Sequence, residues 1–261
     1  MATYLDRILI SHRHAAAGDE RPLAQLADLA MQCPPPRGFR DAIARDVAGG
    51  QVAVIAEVKR RSPSKGALAV DLDPVALAGD YARGTASCLS VLTDEEWFGG
   101  SPADLQAARN ATDLPALRKD FTVSVRDVFD ARLMGADCLL LIVAALDDEE
   151  LRRFHETAVD LGLDILVEVH DEAELERAVA VGATLVGVNQ RDLVTFRVDH
   201  DRAVRVGKAI PDDVVRVAES GVRGPDDARA LAEGGFDAVL VGESLVTSSD
   251  PAAAVRALRT V

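Results

Sequence analysis

From about residue 52 onward, short runs rich in Val, Ile and Leu alternate with helix-length amphipathic segments, and this alternation constrains the chain more than any other feature. Strands are predicted near 52–58 (VAVIAEV), 86–92 (ASCLSVL), 115–119, 137–143 (DCLLLIV), 164–169 (DILVEV), 184–188, 214–219 (VVRVAES) and 237–241 (DAVLV), each followed by a helix. Continuously apolar strands separated by helices belong to a parallel sheet covered on both faces, since neither face of such a strand can be left in water. A weak internal repeat supports the count. A glycine precedes the next strand at Gly84-Thr85-Ala86, Gly135-Ala136-Asp137, Gly162-Leu163-Asp164, Gly182-Ala183-Thr184 and Gly235-Phe236-Asp237, where a left-handed residue would end the helix cheaply. Eight βα units in 261 residues suit a closed (β/α)8 TIM barrel of the α/β class better than an open doubly wound sheet. The expectation is one barrel domain over residues 1–261, with no second catalytic domain, because the eighth unit ends near Val261.

The first fifty residues stand outside the repeat. Tyr4, Leu5, Ile8 and Leu9 form one helical stripe, Leu23, Leu26, Ala27 and Ala30 a second, and Pro34-Pro35-Pro36 interrupts the chain before a short helix near 39–48. Residues 1–50 therefore read as a helical extension packed under or across the barrel.

Composition removes several function classes. Acidic residues outnumber basic ones 43 to 29, a net charge of −14 that argues against nucleic acid or an anionic membrane as the main partner. No GxGxxG follows a strand, and no GxxxxGK[ST] occurs, so neither a dinucleotide nor a P-loop fingerprint competes. Cys33, Cys88 and Cys138 are widely spaced without a CxxC, and no HExxH or Cys/His cluster suggests a metal. His12 and His14 are placed at the end of an exposed helix. The N-terminus carries Asp6 and Arg7 inside its apolar pattern, unlike a signal peptide, and no stretch approaches the ~18 apolar residues of a membrane span. A cytoplasmic protein is expected.

Of the 29 basic residues only four are lysines, Lys59, Lys65, Lys119 and Lys208. A lysine can exchange its proton once its surroundings shift it, whereas arginine stays charged, so the positions of these four matter. Side chains alternate along a strand. In the first strand Ala53, Ile55, Glu57 and Lys59 share a face. The same parity sets Lys119 at the end of the third, Leu166 and Glu168 on the fifth, Leu185, Gly187 and Asn189 on the sixth, and Val215, Val217 and Glu219 on the seventh. All the ionisable groups of this set come out at the C-terminal rim, where barrel enzymes keep their catalytic groups. Ion pairs sealing the mouth are the structural alternative, but desolvating several charges together is costly and apolar replacements often serve stability as well. Lys beside Glu in a water-poor site is a general acid and base set. Ser220-Gly221 and Gly242-Glu243-Ser244 end the seventh and eighth strands. Such turns bind phosphate in many barrels and also occur without a ligand. Ser62-Pro63-Ser64-Lys65-Gly66 reads as a polar loop over the mouth, with Ser62 a phosphate-ligand candidate, and Trp97-Phe98 as a pair that packs the second loop down.

Six motifs then carry a resemblance. Ala56-Glu57-Val58-Lys59-Arg60-Arg61-Ser62-Pro63-Ser64-Lys65-Gly66, Leu117-Arg118-Lys119-Asp120-Phe121, Leu166-Val167-Glu168-Val169-His170, Gly187-Val188-Asn189-Gln190-Arg191-Asp192-Leu193, Ala218-Glu219-Ser220-Gly221-Val222 and Leu240-Val241-Gly242-Glu243-Ser244-Leu245 closely resemble indole-3-glycerol phosphate synthases, in that family's order. The resemblance implies a cofactor-free barrel enzyme of tryptophan biosynthesis. Its substrate would be a small molecule, the anthranilate-derived sugar phosphate 1-(2-carboxyphenylamino)-1-deoxyribulose 5-phosphate.

By that resemblance Lys119 would be the acid for ring closure and Glu168 its paired base, while Lys59 would hold the substrate carboxylate; the division of acid work between the two lysines stays open. Glu57 and Asn189 would orient the reacting centre beside Glu219, with Arg191 behind them. Ser62, Ser220-Gly221 and Gly242-Glu243 would hold the phosphate, Phe121 would face the anthranilate ring, and the N-terminal helices would lie over the mouth. A monomer or weak homodimer is expected. Gln190 and Trp97 are small departures from the family pattern. The competing readings are a sugar-phosphate isomerase such as phosphoribosylanthranilate isomerase, which would need a Cys and Asp pair at the rim, and a non-catalytic barrel that binds a phosphate ligand.

Overall fold

The computed structural model describes residues 3–63, 65–192 and 197–259; Ser64 and Leu193 of the motifs above lie outside them. Eight parallel strands close into a barrel: β1 (Ala53–Val58), β2 (Cys88–Leu92), β3 (Ala116–Lys119), β4 (Cys138–Ile142), β5 (Asp164–Val169), β6 (Leu185–Asn189), β7 (Val215–Glu219) and β8 (Ala238–Val241). Closure is made by β1, which pairs with β8 through Ala53↔Ala238 and with β2 through Ile55↔Cys88. A helix of nine to thirteen residues follows every strand. With helices outside and side chains filling the lumen, both strand faces are dry, which is why the strands are almost uninterrupted apolar runs. Ile55, Leu117 and Leu166, on the predicted inward face, are fully buried. No helix among the described residues is long and apolar enough to cross a membrane.

The expected glycine stops hold at Gly135, Gly162, Gly182 and Gly235, all with positive φ, and fail at Gly84. There Thr85 takes the left-handed conformation instead (φ 64°), while Gly84 has φ −75°. The constraint on Gly84 is space: a Cβ would run into the Ala252 carbonyl and the Val255 side chain of the last helix.

The N-terminal extension divides between the two ends of the barrel, so "under" and "over" each describe part of it. Helix α1 (Tyr4–Ala17) opens with a reciprocal cap, Thr3 Oγ1 accepting from the Asp6 amide and Asp6 Oδ2 from the Thr3 amide, and crosses the C-terminal mouth. Helix α2 (Leu23–Met31) runs down the flank against the helix Val125–Leu133. Helix α3 (Phe39–Ala48) closes the opposite end, burying Phe39 and Ile43 completely.

Buried charge pins α3 there. Asp137, fully buried at the foot of β4, accepts from the Arg37 amide (2.7 Å), the Ala116 amide (2.8 Å) and the Arg109 guanidinium (2.8 and 2.9 Å). Arg259 likewise pairs with Asp46 of α3 at 2.7 Å. Every acceptor position of Asp137 is used, as expected of an ion pair that only holds structure. Asp137→Ala is expected to cost about 3–5 kcal/mol, because Arg109 and two amides lose their partner; chemical denaturation measures it, and a loss under ~1 kcal/mol would contradict the role.

Candidate active site

The C-terminal ends of the strands and helix α1 enclose a cavity of about 820 Å³. Every candidate named from the sequence lines it except Gly242. Gly242 lies directly behind the wall, where a Cβ would strike the Glu57 carboxylate and press on Lys59 Nζ. Two groups of charged side chains face each other across the space. On β1, Glu57 Oε1 pairs with Lys59 Nζ at 2.5 Å. Lys119, ending β3, reaches Glu168 Oε2 on β5 at 3.4 Å and Glu219 Oε2 on β7 at 3.8 Å. Asn189, ending β6, donates from Nδ2 to Glu168 Oε1 at 2.9 Å and accepts from the Arg191 amide at 3.0 Å. Parity alone aligns these residues, but the register brings them together: Glu168 sits beside Gly187, and Asn189 beside Glu219. Gly187 has no side chain because Glu219 lies across it; a Cβ there would overlap the Glu219 carboxylate.

Proximity divides the protons. Burial alone would lower the Lys119 pKa, but Glu168, Glu219 and Glu57 overcome it and hold the ammonium above its ordinary range. Burial would raise Glu168, yet Lys119, His170, the Asn189 amide and a hydrogen bond from Glu219 hold it below the usual carboxylate value. Glu219 shows the reverse: burial and the neighbouring Glu168 charge push its carboxyl well above the usual range, which favours its protonated form beside Glu168. The rim thus sets a charged acid and an ionised base beside a carboxyl whose protonated form is favoured. Unlike Asp137, Glu219 leaves one buried oxygen, Oε1, without a partner, an arrangement that a purely structural ion cluster would not favour.

The phosphate-side candidates gather at the neighbouring wall. Ser220 and Gly221 are both left-handed (φ 67° and 77°), and Val198 packs where a Gly221 Cβ would stand. Strain at a non-glycine residue such as Ser220 is typical of binding loops. Gln190 steadies the turn, donating from Nε2 to the Ser220 carbonyl at 2.7 Å and meeting His200 Nδ1 at 2.9 Å. The Glu243 carboxylate pairs with Lys65 at 3.4 Å, and both residues line the cavity where Glu243 opens the Glu243–Val246 turn. The polar loop after β1 is an antiparallel hairpin, Arg61–Ser62 with Gly66–Ala67.

Sequence reasoning missed the fastening of α1. His12 is not exposed: Nε2 lies 2.9 Å from Asp94 Oδ2, and the ring packs 5.3 Å from Phe121, itself 6.3 Å from Phe98. Ser11 donates to Glu96 at 3.0 Å, and Arg13 to Glu150 at 2.7 and 2.8 Å. Tyr4, Leu5 and Ile8 line the cavity from the same helix, and Tyr4 meets Trp97 edge-on at 5.2 Å, so Trp97-Phe98 packs the loop as expected and also touches the lid. Only the partner loop, distant in sequence, distinguishes His12 from a surface histidine. His12, Asp94 and Asp120 offer ligand atoms close together, but Asp120 already pairs with Arg118 Nη2 at 3.0 Å and accepts from the Phe121 amide at 2.8 Å, so the group reads as a clasp.

Burial would lower the His12 pKa, but the Asp94 hydrogen bond and the charges of Asp120, Asp94 and Asp127 raise it on balance. A histidine raised by folding stabilises fully below its unfolded value near 6.5, and that contribution fades as pH climbs through the folded value. Fluorescence of Trp97, the single tryptophan, is expected to change over this window as α1 loosens, and His12→Ala to abolish the transition. An identical transition in the variant would contradict the clasp.

Cys88 and Cys138 begin their strands at the far end of the barrel, fully buried, and burial pushes both thiols far up. Neither can supply the rim acid that the isomerase reading requires.

A sequence model of the indole-3-glycerol phosphate synthase family matches residues 5–258. An indole-3-glycerol phosphate synthase from Nocardioides sp. is 53% identical over 255 residues, covering 98% of this chain and 95% of its own. That of Chloroherpeton thalassium is 46% identical over 254 residues, covering 96% and 97%. Among solved structures, thiamine phosphate pyrophosphorylase from Pyrococcus furiosus aligns with a TM-score of 0.61 at 17% identity, over 79% of this chain and 93% of that one. At that identity the likeness concerns the barrel alone.

Proposed function

The chain belongs to the indole-3-glycerol phosphate synthase family, and from that premise we propose that its barrel mouth converts 1-(2-carboxyphenylamino)-1-deoxyribulose 5-phosphate to indole-3-glycerol phosphate, CO₂ and water. It is thereby a carboxy-lyase of tryptophan biosynthesis working without a cofactor. The observation that carries this reading is Lys119, a charged ammonium within 3.4 Å of the ionised Glu168 and 3.8 Å of Glu219.

Lys119 gives a proton to the ketone oxygen while the carboxylate-bearing ring carbon bonds to the carbonyl carbon. The bond to the carboxylate then breaks, CO₂ departs, and its electron pair restores the aromatic ring. The new hydroxyl leaves as water with a second proton from a rim ammonium, and Glu168 takes the proton from the carbon beside nitrogen, completing the indole. Lys59, steered by Glu57, holds the substrate carboxylate until it is lost. Asn189 fixes the Glu168 carboxylate, with Arg191 bracing Asn189 through its amide. Ser62, Ser220-Gly221 and Gly242-Glu243 hold the phosphate through hydroxyl and N–H groups, and Phe121 lies against the anthranilate ring.

We take it to work in the cytoplasm as a monomer or weak homodimer, on a small molecule rather than on nucleic acid or membranes, which the net charge of −14 disfavours. A barrel that only binds a phosphate ligand would leave the Lys119, Glu168 and Glu219 cluster without a purpose. Supplying the carboxyphenylamino-deoxyribulose phosphate and following indole absorbance is expected to show product; a bound but unconverted compound would favour the binding barrel.

A further inference from the structure

His170 follows β5 immediately, two residues past Glu168. It is buried, and only one of its ring nitrogens is within hydrogen-bond distance of a partner. Glu174 Oε2, one turn into the helix Glu172–Ala180, accepts from the His170 amide at 2.7 Å and lies 3.0 Å from Nδ1. A carboxylate accepts, so Nδ1 carries the proton of this contact. The other nitrogen, Nε2, is fully enclosed, has no hydrogen-bond partner, and lies 3.8 Å from Glu168 Oε1. A neutral ring of this tautomer would aim a bare lone pair at an ionised carboxylate, an unfavourable buried contact; a protonated ring turns the same contact into attraction.

We propose that His170 is a positioning residue for the base: sandwiched between Glu174 and Glu168, it presents a protonated Nε2 to Glu168 Oε1 from behind, keeping that carboxylate ionised and aimed at Lys119. This rests on the reading of Glu168 as the base. His170 does not line the cavity and acts through Glu168 alone. The groups facing it are Glu168 on the preceding strand, Glu174 on the following helix, and Arg202 on the helix His200–Ala209, whose guanidinium also binds the Asn189 and Gln190 carbonyls at 3.2 Å. The two carboxylates outweigh Arg202 and the penalty of burial, so the ring holds its proton more tightly than an ordinary histidine.

A merely structural histidine would alter stability or scale the rate at every pH alike. The proposed role instead ties His170 to one limb of the pH profile. Removing a cation from beside Glu168 raises the pH at which that carboxylate takes up a proton. His170→Asn is expected to move the acid limb of kcat/KM upward by on the order of one pH unit, a roughly tenfold rate deficit on that limb that fades toward higher pH. An unchanged limb would overturn the proposal.

Coupling is reciprocal, so a second measurement needs no His170 variant. The NMR titration midpoint of the His170 ring is expected to lie above 6.5 in the wild-type protein and to fall in Glu168→Gln. A midpoint indifferent to Glu168 would overturn the proposal even if His170→Asn does not fold. Turnover of Glu168→Gln reads the base assignment separately. A fully active variant would remove that assignment, and with it the catalytic meaning of His170, even with the coupling intact.

Discussion

Lys119→Arg is expected to leave the barrel folded and to lower kcat on the order of a thousandfold, within the usual reach of general acid catalysis. The guanidinium keeps the charge beside Glu168 and Glu219, which now stand 3.4 and 3.8 Å from the ammonium, so the ionised Glu168 is not left buried without a cation. What it cannot do is release a proton to a ketone oxygen, because arginine holds its proton at any working pH. The two functions of a cation, holding charge and giving up a proton, are therefore separated by one substitution. Indole formation at neutral pH together with the thermal midpoint measures both. Near wild-type turnover would remove Lys119 from the acid role, and a large fall in midpoint would reassign the loss to folding.

Gly187→Ala is expected to cost both stability and about a hundredfold in kcat, although it adds one methyl group and sits in no catalytic role. The new Cβ would overlap the Glu219 carboxylate and press on Leu166 Cδ1 at 3.2 Å. Overpacking of this kind costs about 1–3 kcal/mol. If Glu219 yields instead, it moves into Lys119 and Glu168, and displacing reacting groups by about an ångström is enough for a loss of that size. Denaturation and steady-state kinetics on the one variant test it; unchanged values in both would mean that Glu219 has room the packing does not show.

Both expectations concern residues that the sequence presented in different ways. Lys119 was conspicuous, one of four lysines and placed by parity at a strand end. Gly187 was placed on the inward face with Leu185 and Asn189, but nothing along the chain showed why it must lack a side chain, since its neighbour Glu219 is thirty-two positions away. The same contrast separates the histidines. His12 carried no spacing signal, because Asp94 reaches it through tertiary contact from another loop; His170 stands two positions from Glu168 and four from Glu174, and what the sequence hid is that its Nε2 is enclosed beside Glu168 Oε1. Buried charge by itself was a weaker guide than the parity argument took it to be. Asp137 and Asp46 are charged partners at the opposite end of the barrel, and they hold α3 in place. What distinguishes the rim is its place and composition: Lys119 is shared between Glu168 and Glu219 on the wall of the cavity, whereas Asp137 and Asp46 do not line it.

By itself the sequence determined the α/β class, the eight units and the rim on which Glu57, Lys59, Lys119, Glu168, Asn189 and Glu219 would meet. Strand periodicity and continuous apolar runs are local properties, written along the chain. Only the tertiary structure decided how proton affinities diverge, with Lys119 held above its ordinary range, Glu168 below and Glu219 well above the usual carboxylate range, and how the extension splits between mouth and base. Protonation depends on distances between side chains of different strands and on the water excluded around them. Neither quantity exists until the barrel has closed.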